Sequence, residues 1–221
     1  MATSGPAWIR NNGLLIVNLL LFVIFLGGMT VTGWQVYNDE QLEHGASAIS
    51  MGQYVATGDY GEAVFENWES ELLQMGMYVV LTAYLFQWGS SESKPLGKPA
   101  PQDAEPRASA RAPWPVRRGG WVLAVYERSL AIFFFALLLA TLALHAVTGA
   151  AAYTEEQAAH GQPGATPIEY LGTSQFWFES LQNWQSEFLA VALIVGASIW
   201  LRYRGSAESK PVAAPHFETG E

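Results

Sequence analysis

The stretch Leu14–Val31 has the sequence LLIVNLLLFVIFLGGMTV and contains no charged residue. A helix needs roughly 20 predominantly apolar residues to cross a bilayer, so this stretch predicts a transmembrane helix. Three further apolar stretches follow at Leu72–Trp88, Leu130–Val147 and Phe188–Leu201. Charged residues make up 14% of the 221-residue chain, whereas a typical soluble domain carries about 25%. The sequence therefore predicts an all-α integral membrane protein with four transmembrane helices.

Part of the chain recurs 116 residues further on, without a gap. The repeated pairs are TGWQVYNDEQLEHG at Thr32–Gly45 with TGAAAYTEEQAAHG at Thr148–Gly161, NWESELL at Asn67–Leu73 with NWQSEFL at Asn183–Leu189, and ESKP at Glu92–Pro95 with ESKP at Glu208–Pro211. A constant offset over this length indicates an internal duplication. Each unit contains two apolar stretches, so the second unit starts on the same side of the membrane as the first. The repeat therefore predicts two parallel helix hairpins related by a pseudo-twofold axis along the membrane normal.

The basic residues indicate which side of the membrane each loop occupies. All 11 Lys and Arg lie before the first apolar stretch, between the second and third, or after the fourth. The two remaining loops, 35–66 and 150–182, carry only acidic charges. Because cytoplasmic loops are enriched in Lys and Arg, the sequence predicts that both termini and the central linker are cytoplasmic.

The repeat and the charge pattern together give the domain boundaries. The linker and the tail are polar and rich in Pro and Ala, and they contain too few apolar side chains to offset the entropy of ordering, which predicts disorder. The predicted boundaries are a first two-helix repeat at 1–95 with helices at about 12–44 and 57–88, a disordered cytoplasmic linker at 96–120, a second two-helix repeat at 121–211 with helices at about 126–160 and 173–204, and a cytoplasmic tail at 212–221.

A polar motif stands at the outer edge of the second and fourth apolar stretches. Its residues are Asn67, Ser70 and Glu71 in the first repeat and Asn183, Ser186 and Glu187 in the second. A carboxylate at membrane depth is costly and usually functional. Glu71 and Glu187 share one predicted depth, and carboxylates that approach each other share a proton or bind a cation. The alternative is that both face water at the interface, near a helix start that favours negative charge.

Each repeat also pairs a glutamate with a histidine one helical turn later. These pairs are Glu40 with His44 and Glu156 with His160. A carboxylate and an imidazole on one helix face suit a divalent metal such as zinc or manganese. The alternative is an ordinary helix ending, in which a histidine in the last turn is followed by glycine. The sequence indicates no other cofactor.

One histidine, His145, lies inside the third apolar stretch, where the first repeat has Met29. A lone histidine in a transmembrane segment indicates a hydrogen bond to a neighbouring helix more than a haem ligand. No second axial histidine is placed at a matching depth.

Three segments carry a family resemblance. Arg10–Leu14, Gly33–Gly45 and Phe65–Glu71 resemble an uncharacterised bacterial family of four-helix membrane proteins, a domain of unknown function that is marked by the duplicated Asn-Trp-x-Ser-Glu motif. The second copy departs slightly, with Gln182 where the first has Glu66. The resemblance covers nearly the whole chain except the linker. It implies a multi-pass protein of the bacterial inner (plasma) membrane and supplies no activity.

Several classes of function are excluded by what the sequence lacks. There are no cysteines, so thiolate chemistry is excluded, and there is no nucleotide-binding loop or HExxH motif. No basic patch suits nucleic acid. The sequence favours a non-enzymatic accessory, scaffold or self-assembling membrane component, whose partners are the lipid bilayer and either another membrane protein or a second copy of the chain. The alternative is the binding or transport of a cation, metal or proton through the paired carboxylates.

Overall fold

The computed structural model describes residues 7–220, and every regular element in that range is helical. The prediction of an all-α fold is therefore confirmed. The helices are α1 (Ala7–Asn11), α2 (Gly13–Glu43), α3 (Met51–Tyr54), α4 (Gly58–Tyr84), α5 (Trp114–Arg118), α6 (Gly120–Tyr126), α7 (Ser129–Ala159), α8 (Pro167–Tyr170) and α9 (Ser174–Ala197), with a 3₁₀ turn at Pro101–Asp103.

Within residues 7–220, α2 and α7 are the two helices long and apolar enough to cross a membrane. Helix α2 buries none of its residues. Its apolar side chains face outward, as Leu14 and Phe25 show with exposures of 83% and 69%. Helices α4 and α9 are nearly as long, with 27 and 24 residues, but their first turns are more polar. Two of the four predicted transmembrane helices, α2 and α7, are therefore long and apolar enough to cross a membrane.

The helices follow the 116-residue spacing seen in the sequence. Helices α2 and α7 differ by 116 positions at both ends, and so do α3 and α8. Helices α4 and α9 also begin 116 positions apart. The threonines before them make the same contacts: Thr57 Oγ1 accepts the N–H of Tyr60, and Thr173 Oγ1 accepts the N–H of Phe176, both at 3.2 Å. The two duplicated segments therefore have the same local structure.

Helices α4 and α9 end earlier than the sequence predicts, at Tyr84 and Ala197 instead of about 88 and 204. In both cases a serine of the next turn accepts a backbone N–H beyond the helix end. Ser93 Oγ accepts the N–H of Gln87 at 3.0 Å, and Ser209 Oγ accepts that of Tyr203 at 2.9 Å. A side chain that competes in this way draws the backbone out of the helical hydrogen-bond pattern.

The chain divides into two compact units, of which the first comprises the residues up to Ala63 and Val147–Pro167. In it, the Tyr37 hydroxyl donates to Glu155 Oε1 at 2.6 Å. At Gly58, a side chain would place its Cβ 2.5 Å from the Ala152 backbone nitrogen. Glycine at this position therefore allows the start of α4 to approach the backbone of α7.

The second unit comprises Val64–Ala146 and Ile168–Glu221. At one end of it, the side chain of Lys210 is buried, and this burial lowers the pKa of its amine. The amine donates to the backbone carbonyls of Gly89, of His216 at 3.0 Å and of Glu218 at 2.9 Å. A buried ammonium group requires such partners. These hydrogen bonds hold the backbone of residues 216–218, whose composition predicts disorder, while most side chains of residues 211–220 are exposed.

Candidate functional site

His145 of α7 is fully buried, and each of its two ring nitrogens faces a carboxylate from another helix. Its Nδ1 lies 3.0 Å from Oε2 of Glu69 on α4. Its Nε2 lies 3.2 Å from Oε2 of Glu179 on α9. We call these three residues the Glu–His–Glu cluster. All three belong to the second unit.

Other polar side chains occupy the remaining oxygens of the two carboxylates. Ser180 Oγ donates to Glu69 Oε1 at 2.7 Å. The Tyr170 hydroxyl donates to Glu179 Oε2, and Gln175 Nε2 donates to Glu179 Oε1 at 2.5 Å. Every carboxylate oxygen in the cluster therefore has a hydrogen-bond partner, as buried charged groups require.

Aromatic rings enclose the histidine. The ring of Phe176 lies 4.9 Å from that of His145, and the ring of Tyr170 lies 6.3 Å from it, in each case between centroids. Phe176 and Tyr170 are themselves buried. Such walls keep water away and strengthen the electrostatic interactions inside.

The geometry fixes the number of protons in the cluster. A carboxylate oxygen and an unprotonated ring nitrogen are both acceptors, so each of the two His–Glu contacts requires a proton between its atoms. The cluster thus holds two protons among three groups, which gives it a net charge of −1. A buried net charge is unfavourable, so the cluster is suited to take up one more proton or a cation.

The polar motif that the sequence singles out lies next to this cluster along α4 and α9. The Ser70 and Ser186 hydroxyls both donate to a carbonyl of their own helix, at Asn67 and Asn183 respectively, each at 2.8 Å. The Asn183 side chain donates to the Glu179 carbonyl at 3.1 Å. These polar side chains are therefore hydrogen-bonded to the backbone of their own helix.

The two carboxylates of that motif differ in their exposure. Glu71 is exposed and Glu187 is half-buried. The backbone carbonyl of Glu187 accepts the Gln74 side chain at 2.7 Å, which joins α4 to α9 at this level. A proton or ion bound by Glu71 and Glu187 stays a prediction.

The glutamate–histidine pairs lie at the ends of α2 and α7. Glu40, His44, Glu156 and His160 are all exposed. His44 caps α2, and Gly45 follows it with a φ of +77°, which is the ordinary helix ending weighed as the alternative. A metal at either pair stays a prediction.

Sequence reasoning missed Glu69 and Glu179 because it followed the residues that the duplication preserves. The positions 116 residues away from Glu69, His145 and Glu179 hold Gln185, Met29 and Ala63. The cluster is therefore built from residues that differ between the two copies. The expectation that His145 hydrogen-bonds to a neighbouring helix is confirmed, and it does so to two helices.

Over residues 7–220, fold and site define an all-helical protein with two helices apolar enough to cross a membrane and a buried Glu–His–Glu cluster. The chain matches the family described as "Domain of unknown function (DUF6766)" over residues 6–221, and it belongs to that family. No curated protein and no solved structure shows significant similarity to it. The family membership assigns no activity, so the functional argument depends on the geometry of the cluster.

Proposed function

We propose that this protein is a non-enzymatic, multi-pass membrane component that binds and releases a proton at the Glu–His–Glu cluster. One observation carries the proposal: both ring nitrogens of the buried His145 contact carboxylates, and these come from two different helices. Ionisable residues inside membrane proteins commonly mark proton or ion sites.

In this proposal all four long helices cross the bacterial inner membrane, and both termini are cytoplasmic. The exposed apolar surface of α2 supports contact with lipid, because soluble proteins rarely expose large apolar patches. The absence of Lys and Arg from loops 35–66 and 150–182 supports the orientation. The shared helix spacing of 116 residues supports two parallel hairpins related by a pseudo-twofold axis.

Reporter fusions test this topology. Alkaline phosphatase is active outside the cytoplasm, so we expect activity when it is fused after Gly45 and none when it is fused after Gly97. The reverse pattern would overturn the orientation. If neither fusion were active, Gly45 would lie in the cytoplasm and α2 would not cross the membrane.

Nuclear magnetic resonance of ¹⁵N-labelled histidine tests proton binding directly. The chain has four histidines, and the His145 signals are those that disappear in His145→Gln. We expect both ring nitrogens of His145 to be hydrogen-bonded to shared protons at neutral pH and their shifts to change as the cluster gains a proton. The exposed His160→Gln variant serves as the matched control and should leave those signals in place.

Two results would overturn proton binding. In the first, His145 stays in one neutral tautomer whose shifts do not change with pH. In the second, the purified protein retains a stoichiometric metal that is lost in His145→Gln and kept in His160→Gln, which would make the cluster a metal site.

A further inference from the structure

The two carboxylates of the Glu–His–Glu cluster receive unequal numbers of hydrogen bonds. Glu179 accepts three, from His145, Tyr170 and Gln175. Glu69 accepts two, from His145 and Ser180. Hydrogen bonds donated to a carboxylate favour its charged form. Glu179 is therefore the more firmly held anion of the two.

The side chains that donate to the two carboxylates also differ in whether they can accept a hydrogen bond instead of donating one. The Ser180 hydroxyl can donate or accept, because it carries both a proton and lone pairs and can rotate. The Gln175 Nε2 atom, which faces Glu179 Oε1, can only donate. A proton added to Glu69 Oε1 would be donated to Ser180 Oγ, whereas a proton added to Glu179 Oε1 would point at an N–H group.

We infer that Glu69 is the carboxyl group that takes up and releases the exchangeable proton, with Ser180 as its reversible hydrogen-bond partner. Glu179 remains the fixed anion that holds the protonated imidazole. This assignment rests on the proposed function of the cluster. A hydronium ion gives up the proton and becomes water, an O–H bond forms at Glu69 Oε1, and the Ser180 hydroxyl rotates its own proton away from that oxygen. The charge of the cluster changes from −1 to zero.

Other titratable groups surround this position. His145 faces Glu69 from α7, and beyond it lie Glu179 of α9 and Tyr170 of α8. On α4 itself, Glu66 precedes Glu69 by one turn and is half-buried. Glu62 also belongs to α4, four residues before Glu66.

Infrared difference spectra of the purified full-length protein, recorded against pH, test the assignment. A carboxyl group that gains a proton produces a C=O stretching band. We expect one such band of the wild-type protein to be lost in Glu69→Gln and kept in Glu179→Gln. Glutamine occurs at the corresponding position of the second copy, Gln185, so this side chain is compatible with the same helix in the duplicated segment.

Ser180→Ala gives a second measurement that does not depend on removing a carboxylate. We expect the band to move to higher frequency, because the protonated Glu69 loses its hydrogen-bond acceptor. Ser186→Ala is the matched control on the same helix, since its hydroxyl donates to the Asn183 carbonyl, and it should leave the band unmoved.

The outcomes separate the two proposals. A band that survives Glu69→Gln, or that does not move in Ser180→Ala, overturns the role of Glu69 even if His145 titrates as proposed. If no carboxyl band changes with pH and the His145 signals are also constant, proton binding itself is wrong.

Discussion

Tyr54 and Tyr170 occupy corresponding places in the two duplicated segments, each at the end of a four-residue helix. The ring of Tyr54 packs against Tyr37 and Tyr60, with centroids 5.5 and 5.4 Å apart. The ring of Tyr170 packs against His145 and Phe176, and its hydroxyl donates to Glu179. In the first copy the tyrosine lies between two other tyrosines and beside the half-buried Asp59, whereas in the second it contacts the buried His145 and Glu179.

The comparison shows that the duplicated backbone does not by itself create the site. The residues that correspond to His145, Glu179 and Glu69 in the other copy are Met29, Ala63 and Gln185, and none of these three can carry a charge. The cluster can therefore be removed by installing residues that the other copy already carries.

The largest effect is expected from His145→Met, which leaves two buried carboxylates facing an apolar side chain. Breaking a buried ion pair in this way costs about 3–5 kcal/mol, which denaturant unfolding in detergent would measure. The triple variant His145→Met, Glu69→Gln, Glu179→Ala contains no buried charge at these positions. It should recover most of that stability without binding the proton. A triple variant less stable than the single one would show that the ionic contacts themselves stabilise the fold.

A smaller loss is expected from Gly58→Ser, which places in the first copy the residue that the second copy has at Ser174. The new Cβ would lie 2.5 Å from the Ala152 nitrogen and 2.7 Å from the Thr148 oxygen, and backbone atoms cannot easily move away. Overpacking of this kind costs about 1–3 kcal/mol. Gly52→Ser is the control, because a Cβ there meets no atom within 4 Å. Equal unfolding free energies for the two variants would contradict the close approach of α4 and α7.

Tyr54→Phe should change the response to alkaline pH. Burial, with the nearby Asp59, raises the pKa of the Tyr54 hydroxyl from 10.0 to about 12. The folded protein therefore binds this proton more tightly than the unfolded chain does, so the resulting stability is present below pH 10 and is lost as the pH rises to about 12. Unfolding curves across that range should fall more steeply for the wild type than for Tyr54→Phe. Tyr203→Phe, at an exposed tyrosine, should behave like the wild type.

The smallest effect concerns the repeated ESKP turns. Glu92 is half-buried and accepts the Tyr78 hydroxyl at 2.7 Å, whereas Glu208 is exposed. The charge of Glu92 raises the pKa of Glu208, so the charged form of Glu208 is disfavoured in the fold. Glu208→Gln should stabilise the protein at neutral pH by at most about 0.5 kcal/mol. The gain should vanish in acid, where both carboxyls are protonated. A loss of stability at neutral pH, or an equal gain in Glu105→Gln, would contradict the repulsion.

Much of the fold follows from features that a sequence shows directly. The uncharged, mostly apolar run Leu14–Val31 is typical of a long helix, and Thr57 and Thr173 mark helix starts by their side-chain chemistry. The offset of 116 residues then placed every long helix of the second copy. The ends of α4 and α9 were not predicted because they depend on contacts between residues six positions apart. Ser93 accepts the N–H of Gln87, and Ser209 accepts the N–H of Tyr203.

The site was harder to predict because it depends on which helix faces are turned inward. Glu69 and Glu71 are two residues apart, and at 3.6 residues per turn they point about 200° away from each other on α4. The sequence alone does not tell which of the two faces the other helices. The buried one, Glu69, has glutamine at the corresponding position of the second copy, so the repeat gave no signal for it.

Lys210 has a consequence for how the protein is made. Its amine joins the Gly89 carbonyl, shortly after α4, to carbonyls at His216 and Glu218 near the other end of the chain. During synthesis the first duplicated segment leaves the ribosome before the second, and the parts of a chain generally fold in that order. The Lys210 amine can form these hydrogen bonds only after residues 210–218 have left the ribosome. These contacts between the turn after α4 and residues 210–218 therefore form only after the four long helices have been synthesised.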